Sequence, residues 1–350
     1  MAMSGASGSG NFFEDFTFGQ VIEHATPRTV TTGDVALYQA LYGPRFALQS
    51  SDEFARTLGF ARAPVDDLIA FHIVFGKTVA DISLNAVANL GYADGRFSAR
   101  VYPGDTLSAR SEVIGLKENS NRKAGVVWVR TTGRNQRDET VLSYVRWVMV
   151  RKRDEAVPAP PPAVPDLPTT AAVLQAPAGA DFAGWDFALS GTRRCWGDYQ
   201  AGERIDHVDG ITIEEAEHMM ATRLWQNTAR VHFDQHAAAK GRFGRRLVYG
   251  GHVISLARAL SYNGLANACL ILAINGGSHA NPIFAGDTIY AWSEVLERTE
   301  LAGRPDAGAL RLRTVAARNH PCAGFPLRSG DGGYDPAVVL DLDYTVLLPR

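Results

Sequence analysis

His232 stands five residues after Asn227 and two before Asp234, within the stretch 225–252, WQNTARVHFDQHAAAKGRFGRRLVYGGH. The stretch closes on Gly250-Gly251, just ahead of an apolar run with helical spacing. A neutral imidazole can take a proton from water, and a neighbouring side-chain amide can orient that water without competing for the proton. Two glycines opening a helix let a carbonyl oxygen approach the first backbone N–H groups, whose free donors and dipole stabilise an enolate. Losing one such donor commonly costs about 3 kcal/mol. The combination points to chemistry on a carbonyl compound. Tyr249 and His252 flank the glycines as either site or packing residues. Lys240, Arg242, Arg245 and Arg246, with Arg223 and Arg230 nearby, form a basic cluster. It reads either as a solvated face or as a grip for a phosphate or carboxylate.

Other chemistries fit less well. His232, Asp234 and His236 alternate along a loop, but no further cluster of Cys or His completes a metal site, so none is expected. There is no G-x-S-x-G nucleophile elbow, and Cys269 lies in the apolar run LANACLILA, which leaves covalent catalysis unsupported. The glycines between residues 5 and 10 follow no strand and do not read as a phosphate loop.

The elements that must position these residues are set by a repeat. Asp15 and Asp198, Phe16 and Tyr199, Gly19 and Gly202, Ile22 and Ile205, His24 and His207, and Thr29 and Thr212 are each 183 residues apart. Pro-Gly-Asp-Thr at 103–106 returns as Ala-Gly-Asp-Thr at 285–288, and Ser111-Glu112-Val113 as Ser293-Glu294-Val295. An ordered series of this kind marks a tandem duplication. In the second copy a short helix is expected behind a Thr212/Glu215 capping box, with Ala216, Met219, Met220 and Leu224 on one face. A longer helix is expected over 253–260, and over 67–79 in the first copy. Residues 106–113, 125–131, 141–150, 288–296, 309–316 and 338–347 read as strands. One long helix followed by several strands implies, in each copy, an antiparallel sheet wrapped round a helix.

The domain reading is a flexible Gly/Ser-rich N-terminus (1–10), a first domain (11–152), a Pro-rich linker (153–190) and a second domain (191–350) carrying the site. The linker, with VPAPPPAVPDLP, is expected to run extended between the sheets without forming core. Residues 301–308 read as a hairpin tip and 319–335 as a surface loop. Lys+Arg 35 nearly cancel Asp+Glu 37, which favours neither nucleic acid nor an acidic membrane as partner. Three cysteines without CxxC spacing, no signal-like N-terminus and no membrane-length apolar run make a soluble cytoplasmic protein the expectation.

On the residues of the 225–252 stretch the chain resembles the MaoC-like hydratases, the (R)-specific enoyl-CoA hydratase group. Their pattern is an Asp, then Asn-Pro, then a His five residues after the Asp with H-x-D continuing, and later Pro-Ile-x-His-Gly before the central helix. His232-Phe233-Asp234 matches H-x-D, and 246–250, RLVYG, stands in place of the later phrase. Asn227 occupies the catalytic Asp position, and Ala229-Arg230 replaces Asn-Pro. The first copy has Pro44 and Gln49 at the dyad positions, although Ala63-Pro64-Val65-Asp66-Asp67 keeps the phrase before the helix.

The resemblance implies an α+β tandem double hot-dog fold with one working site, in the second half. It also implies reversible hydration of an enoyl-CoA, here of a branched C5 dicarboxylic acyl group. The alternatives are a generic (R)-enoyl-CoA hydratase, a hot-dog thioesterase, or a non-catalytic acyl-CoA binder. His232 and Asn227 would be catalytic, with Gly250 and Gly251 holding the thioester oxygen. Asp234 or Glu217 would stand in for the missing acid. Arg230, Arg45, Tyr249, Pro64, Val65, Arg245 and Arg246 would bind acyl group or CoA, with Arg230 or Arg45 on the free carboxylate. CoA enters as part of the substrate, no separate cofactor is implied, and a homo-oligomer of pseudo-dimeric chains is expected.

Overall fold

The computed structural model describes residues 10–171 and 173–350. The first half runs β1 (Val21–Thr29), α1 (Thr32–Tyr42), α2 (Ala47–Ser50), α3 (Asp52–Thr57), α4 (Asp67–Thr78), β2 (Ala86–Phe97), β3 (Thr106–Glu118), β4 (Ala124–Arg134) and β5 (Thr140–Arg151). The second runs β6 (Arg204–Asp206), β7 (Ile211–Thr212), α5 (Glu215–Leu224), α6 (Arg230–Phe233), α7 (Gln235–Ala238), α8 (Gly250–Leu260), α9 (Tyr262–Leu265), β8 (Leu270–His279), β9 (Thr288–Glu300), β10 (Ala307–Arg318) and β11 (Val338–Pro349).

The strands form one antiparallel sheet, ordered β1-β3-β4-β5-β2-β8-β11-β10-β9-β6. Counted inward from its two edges, the order is the same in both halves, as duplication requires. The halves meet at β2 and β8, where Tyr92 faces Gly277 and Arg96 faces Ala273. Along β3 buried and exposed residues alternate, so one face packs on a helix and the other meets solvent. That helix is α4, whose DLIAFHIVFGKT is buried at every position. A helix apolar on all sides is stable only when fully wrapped. Its counterpart α8 is likewise buried from Gly251 to Leu260.

The two helices and the segment after α5 meet very closely. A Cβ on Gly76 of α4 would lie 1.8 Å from the Trp225 carbonyl oxygen, so only glycine allows the approach. The repeated histidines are buried struts. His24 Nδ1 lies 2.7 Å from Asp81 and Nε2 2.8 Å from Ser111. His207 bonds the Asn263 carbonyl at 2.6 Å and Ser293 at 2.8 Å.

Several local expectations are corrected. Thr212 belongs to β7, with its hydroxyl 2.8 Å from that of Thr288, and Glu214 is the N-cap of α5. The buried face of α5 carries His218, Ala221 and Thr222, because it turns towards Trp225 and α1; Ala216 and Met220 are exposed. Helix α8 begins at Gly250 rather than 253. Strands β1, β2 and β8 escaped the sequence reading, since polar or glycine residues interrupt their alternation.

The linker contributes core after all. Phe182 and Trp185 are buried with Phe54, Phe60 and Leu270, because an aromatic pair repays enclosure even in a proline-rich run. The 319–335 loop is tied to the sheet by Trp292, whose indole N–H donates to the Pro326 carbonyl at 3.0 Å. The expected flexible N-terminus lies outside the described residues except Gly10, which packs against Leu84. No helix among the described residues is long and apolar enough to cross a membrane.

Candidate active site

After α5 the chain turns at Gln226, in the left-handed region at φ 53°, and delivers Asn227. Asn227 is buried, and its Oδ1 accepts the Ala229 N–H at 3.0 Å, which starts α6. His232 lies on that short helix, half-buried. Its Nδ1 is 3.0 Å from the Leu247 carbonyl oxygen. A carbonyl only accepts, so Nδ1 carries the proton and Nε2 keeps its lone pair. Burial pushes the imidazole pKa down to about 4, against the bond to Leu247. The ring is therefore neutral near pH 7. It lies 5.8 Å from the ring of Tyr249, edge to face.

Tyr249 precedes α8, whose first N–H groups have no acceptor within the helix. A Cβ on Gly251 would meet the Tyr249 ring at 2.4 Å. One on Gly250 would meet the imidazole of His279 at 2.4 Å. His279, the last residue of β8, has Nε2 3.2 Å from the Tyr92 hydroxyl. Burial brings its pKa to about 4, and nearby His232 pushes in the same direction. Tyr249 Oη is 3.4 Å from His72 of α4, which also bonds Ser255 at 2.7 Å. Three histidines, two tyrosines and an open helix start thus converge from both halves. A cleft of about 400 Å³ is lined by Gly76, Lys77, Thr222, Asn227, Thr228 and Phe233, the residue that follows His232 in the chain. Burial lowers the Lys77 ammonium to about 8, and it donates to Gln226 at 3.2 Å.

The equivalent place in the first half is closed. The start of α4 is filled by the chain's own carboxylates. Asp66 accepts the Leu68 N–H at 2.9 Å, and Asp67 accepts from Arg100 and from the Ile271 N–H, both at 2.7 Å. Gln49, in the His232 position, donates to the Cys269 carbonyl at 2.6 Å. The cavity between Pro44, Gln49 and Asp66 holds only about 10 Å³.

The residues expected at the site divide accordingly. His232, Tyr249, Gly250 and Gly251 come together, and Asn227 lines the adjoining cleft. Arg45 does not join them. It bonds Asn263 at 2.7 Å and stacks on Tyr262, beyond the far end of α8, a helix about 16 Å long at 1.5 Å per residue. Pro64 and Val65 are buried before α4, at the closed site. Asp234 caps α7 by accepting the Ala237 N–H at 2.9 Å, and Glu217 reaches back 3.4 Å to the Glu214 N–H, so both carboxylates serve helix starts. Arg246 pairs with Glu215, Arg245 lies 3.8 Å over the Phe284 ring, and Arg230 is exposed. His252 faces Tyr42 at 3.2 Å within the core.

His279, Tyr92, His72 and Lys77 were missed. They sit on strands and a helix whose composition reads as core.

A central helix wrapped by antiparallel sheet, twice over, with one histidine poised at an open helix start, defines a double hot-dog protein of the MaoC-like class, a hydro-lyase of the enoyl-CoA hydratase type. The family profile described as mesaconyl-CoA hydratase matches residues 3–330, and the chain belongs to that family. The beta-methylmalyl-CoA dehydratase of Chloroflexus aurantiacus is 65% identical over 350 residues, covering 99% of each chain. The mesaconyl-CoA hydratase of Cereibacter sphaeroides is 64% identical over 344 residues, covering 98% of this chain and 99% of its own. A crystal structure of a MaoC-domain dehydratase from Chloroflexus aurantiacus superposes with a TM-score of 0.96 at 64% identity, covering 99% of both chains.

Proposed function

We propose that this chain catalyses the reversible hydration of mesaconyl-CoA to β-methylmalyl-CoA, with His232 as the general base. The observation that carries this reading is the fixed tautomer of His232, with Nε2 unprotonated beside the open start of α8, in a chain of the mesaconyl-CoA hydratase family. Nε2 takes a proton from water. The water oxygen bonds to the carbon β to the thioester, the C=C π bond breaks, and the electron pair moves to the thioester oxygen. The first N–H groups of α8 and the helix dipole hold that enolate oxygen. The proton on Nε2 then returns to the α carbon as the carbonyl reforms. Water and substrate combine with nothing left over, so no cofactor is called for; CoA is part of the substrate.

The Asn227 amide exchanges no protons near neutral pH, so one imidazole performs both transfers. Asn227 orients the water and holds the turn that presents His232. Lys77 and Arg223 make the mouth of the cleft cationic, which suits the CoA phosphates. The unpaired thiols Cys195, Cys269 and Cys322 are in keeping with a cytoplasmic location. We further propose that the chain assembles as a homo-oligomer of these internally paired units.

The deciding assay follows enoyl-thioester absorbance and free thiol together. Loss of absorbance on mesaconyl-CoA without thiol release supports hydration. Thiol release identifies a thioesterase instead, and no change in either signal removes the catalytic reading.

A further inference from the structure

Among the described residues the buried cations are matched by carboxylates except two, Lys77, which lines the cleft and donates to the neutral Gln226, and Arg146. Arg100 pairs with Asp67 at 2.7 Å and Lys152 with Glu118 at 2.7 Å. Arg258 is faced by Asp66. Arg146, on β5, is fully buried at 0% exposure, and among the described residues it bonds only two neutral hydroxyls, Thr78 at 2.7 Å and Ser83 at 3.4 Å. Its Nε and Nη1 have no hydrogen-bond partner among the described residues. The ionisable side chains facing it are Tyr92, Tyr144 and Tyr249, and no carboxylate is among them. A guanidinium stays charged in a protein interior, and one left without an anion is strongly destabilising.

Its position gives the charge a purpose. Arg146 stands opposite Tyr92 in the β2–β5 register, and the Tyr92 hydroxyl reaches His279 at 3.2 Å. The guanidinium lies 4.4 Å from the Phe75 ring, which is 5.5 Å from Tyr249. Arg146 is therefore one aromatic layer behind the place where His232, His279 and Gly250 meet. A short acyl chain entering with its thioester oxygen at the α8 start would carry its far end towards this layer. Arg230 is exposed and Arg45 lies beyond the far end of α8, so neither stands behind this layer.

We propose that Arg146 binds the free carboxylate of the dicarboxylic acyl group and so selects it over monocarboxylic enoyl thioesters. This rests on the hydratase reading above. The substrate supplies the missing anion, and Thr78, Ser83 and Tyr92 frame it. The first half, whose own helix start is closed, holds the cation that reads the acyl chain of the second.

The test compares mesaconyl-CoA with the thioester carrying a methyl group in place of the free carboxylate, for the wild type, Arg146→Met and Arg146→Lys. Expected is a loss of at least about 100-fold in kcat/KM on mesaconyl-CoA for Arg146→Met, the scale for stranding one partner of a buried charge pair. The monocarboxylic thioester should change less than about threefold, and Arg146→Lys should recover part of the loss. Equal losses on both substrates, or none, overturn the proposal and leave Arg146 a structural residue. Should Arg146→Met not fold, calorimetric binding of methylsuccinyl-CoA and of its methyl ester to the wild type decides. The ester should bind at least about tenfold more weakly, and equal binding overturns the proposal. A wild type that hydrates neither thioester refutes the hydratase reading, whereas the binding comparison still judges Arg146.

Discussion

The imidazole of His279 occupies the space that a side chain on Gly250 would need, 2.4 Å from where its Cβ would stand. The first turn of α8 and the end of β8 are thus fitted to each other, and the approach to the helix N–H groups depends on that fit. Gly250→Ala should move His279 or the helix start. The expected outcome is a fall in kcat of about 100-fold, the scale of one misplaced oxyanion donor, with the circular dichroism spectrum unchanged. Full activity in a folded Gly250→Ala protein would mean that the oxygen is held elsewhere.

His232→Ala should lower the hydration rate by at least about two orders of magnitude, the usual share of a general base. Asn227→Ala should cost less in rate. It should also destabilise by about 1 kcal/mol, because Oδ1 caps the Ala229 N–H. Steady-state kinetics and urea melts separate the two effects. Equal rate losses in both variants would show that the pair acts as one unit.

Acid should unfold this protein through its enclosed histidines. Burial lowers His72 and His252 to about 3 and His207 to about 4. Their unfolded value is about 6.5, so below that pH the unfolded chain binds protons that the folded chain refuses. Their contribution to stability is complete above about pH 6.5 and falls as pH drops towards 4, by up to about 1.4 kcal/mol per pH unit for each ring. Thermal melts between pH 7.5 and 5 should show a steadily falling Tm. A flat profile would contradict the burial of these rings.

Only one acyl-CoA should bind per chain. The first half's helix start is filled by Asp66 and Asp67, and its cavity is about 10 Å³. Calorimetric titration with a non-hydratable thioester should give a stoichiometry near one. Adding Gln49→His to the His232→Ala protein should restore nothing. A second binding event would reopen the question of the first half.

Gly76→Ala should destabilise by roughly 3 kcal/mol or more, since the new methyl would stand 1.8 Å from the Trp225 carbonyl oxygen and the backbone must give way. Chemical denaturation measures this directly. Activity should fall as well, because Trp225 leads into Asn227.

Much of the architecture was legible because it was written twice. The matched His24 and His207, Ser111 and Ser293, and the paired Gly-Asp-Thr phrases fix the same strut and the same turn in each half. The grouping of His232 with the double glycine was legible because their spacing is local. Arg146 and His279 were not, since each belongs to a strand whose neighbours are apolar, and their roles depend on which strands adjoin. Strand order is a long-range property that alternation along one segment does not carry. Arg45, Asp234 and Glu217 misled for the opposite reason: near His232 in sequence or in the repeat, they are committed to other partners. The α5 cap failed because Thr212 pairs with Thr288, 76 residues away.

The seam between β2 and β8 has a further consequence. Two identical subunits meeting in this way would be obliged to carry the same residue on both sides of their axis, so any change that improved one site would be imposed on the other. Joining the copies end to end lifts that obligation. One copy can close its helix start with aspartates while the other opens with glycines. Asymmetry of this kind gives a small enzyme room for a substrate with two different ends.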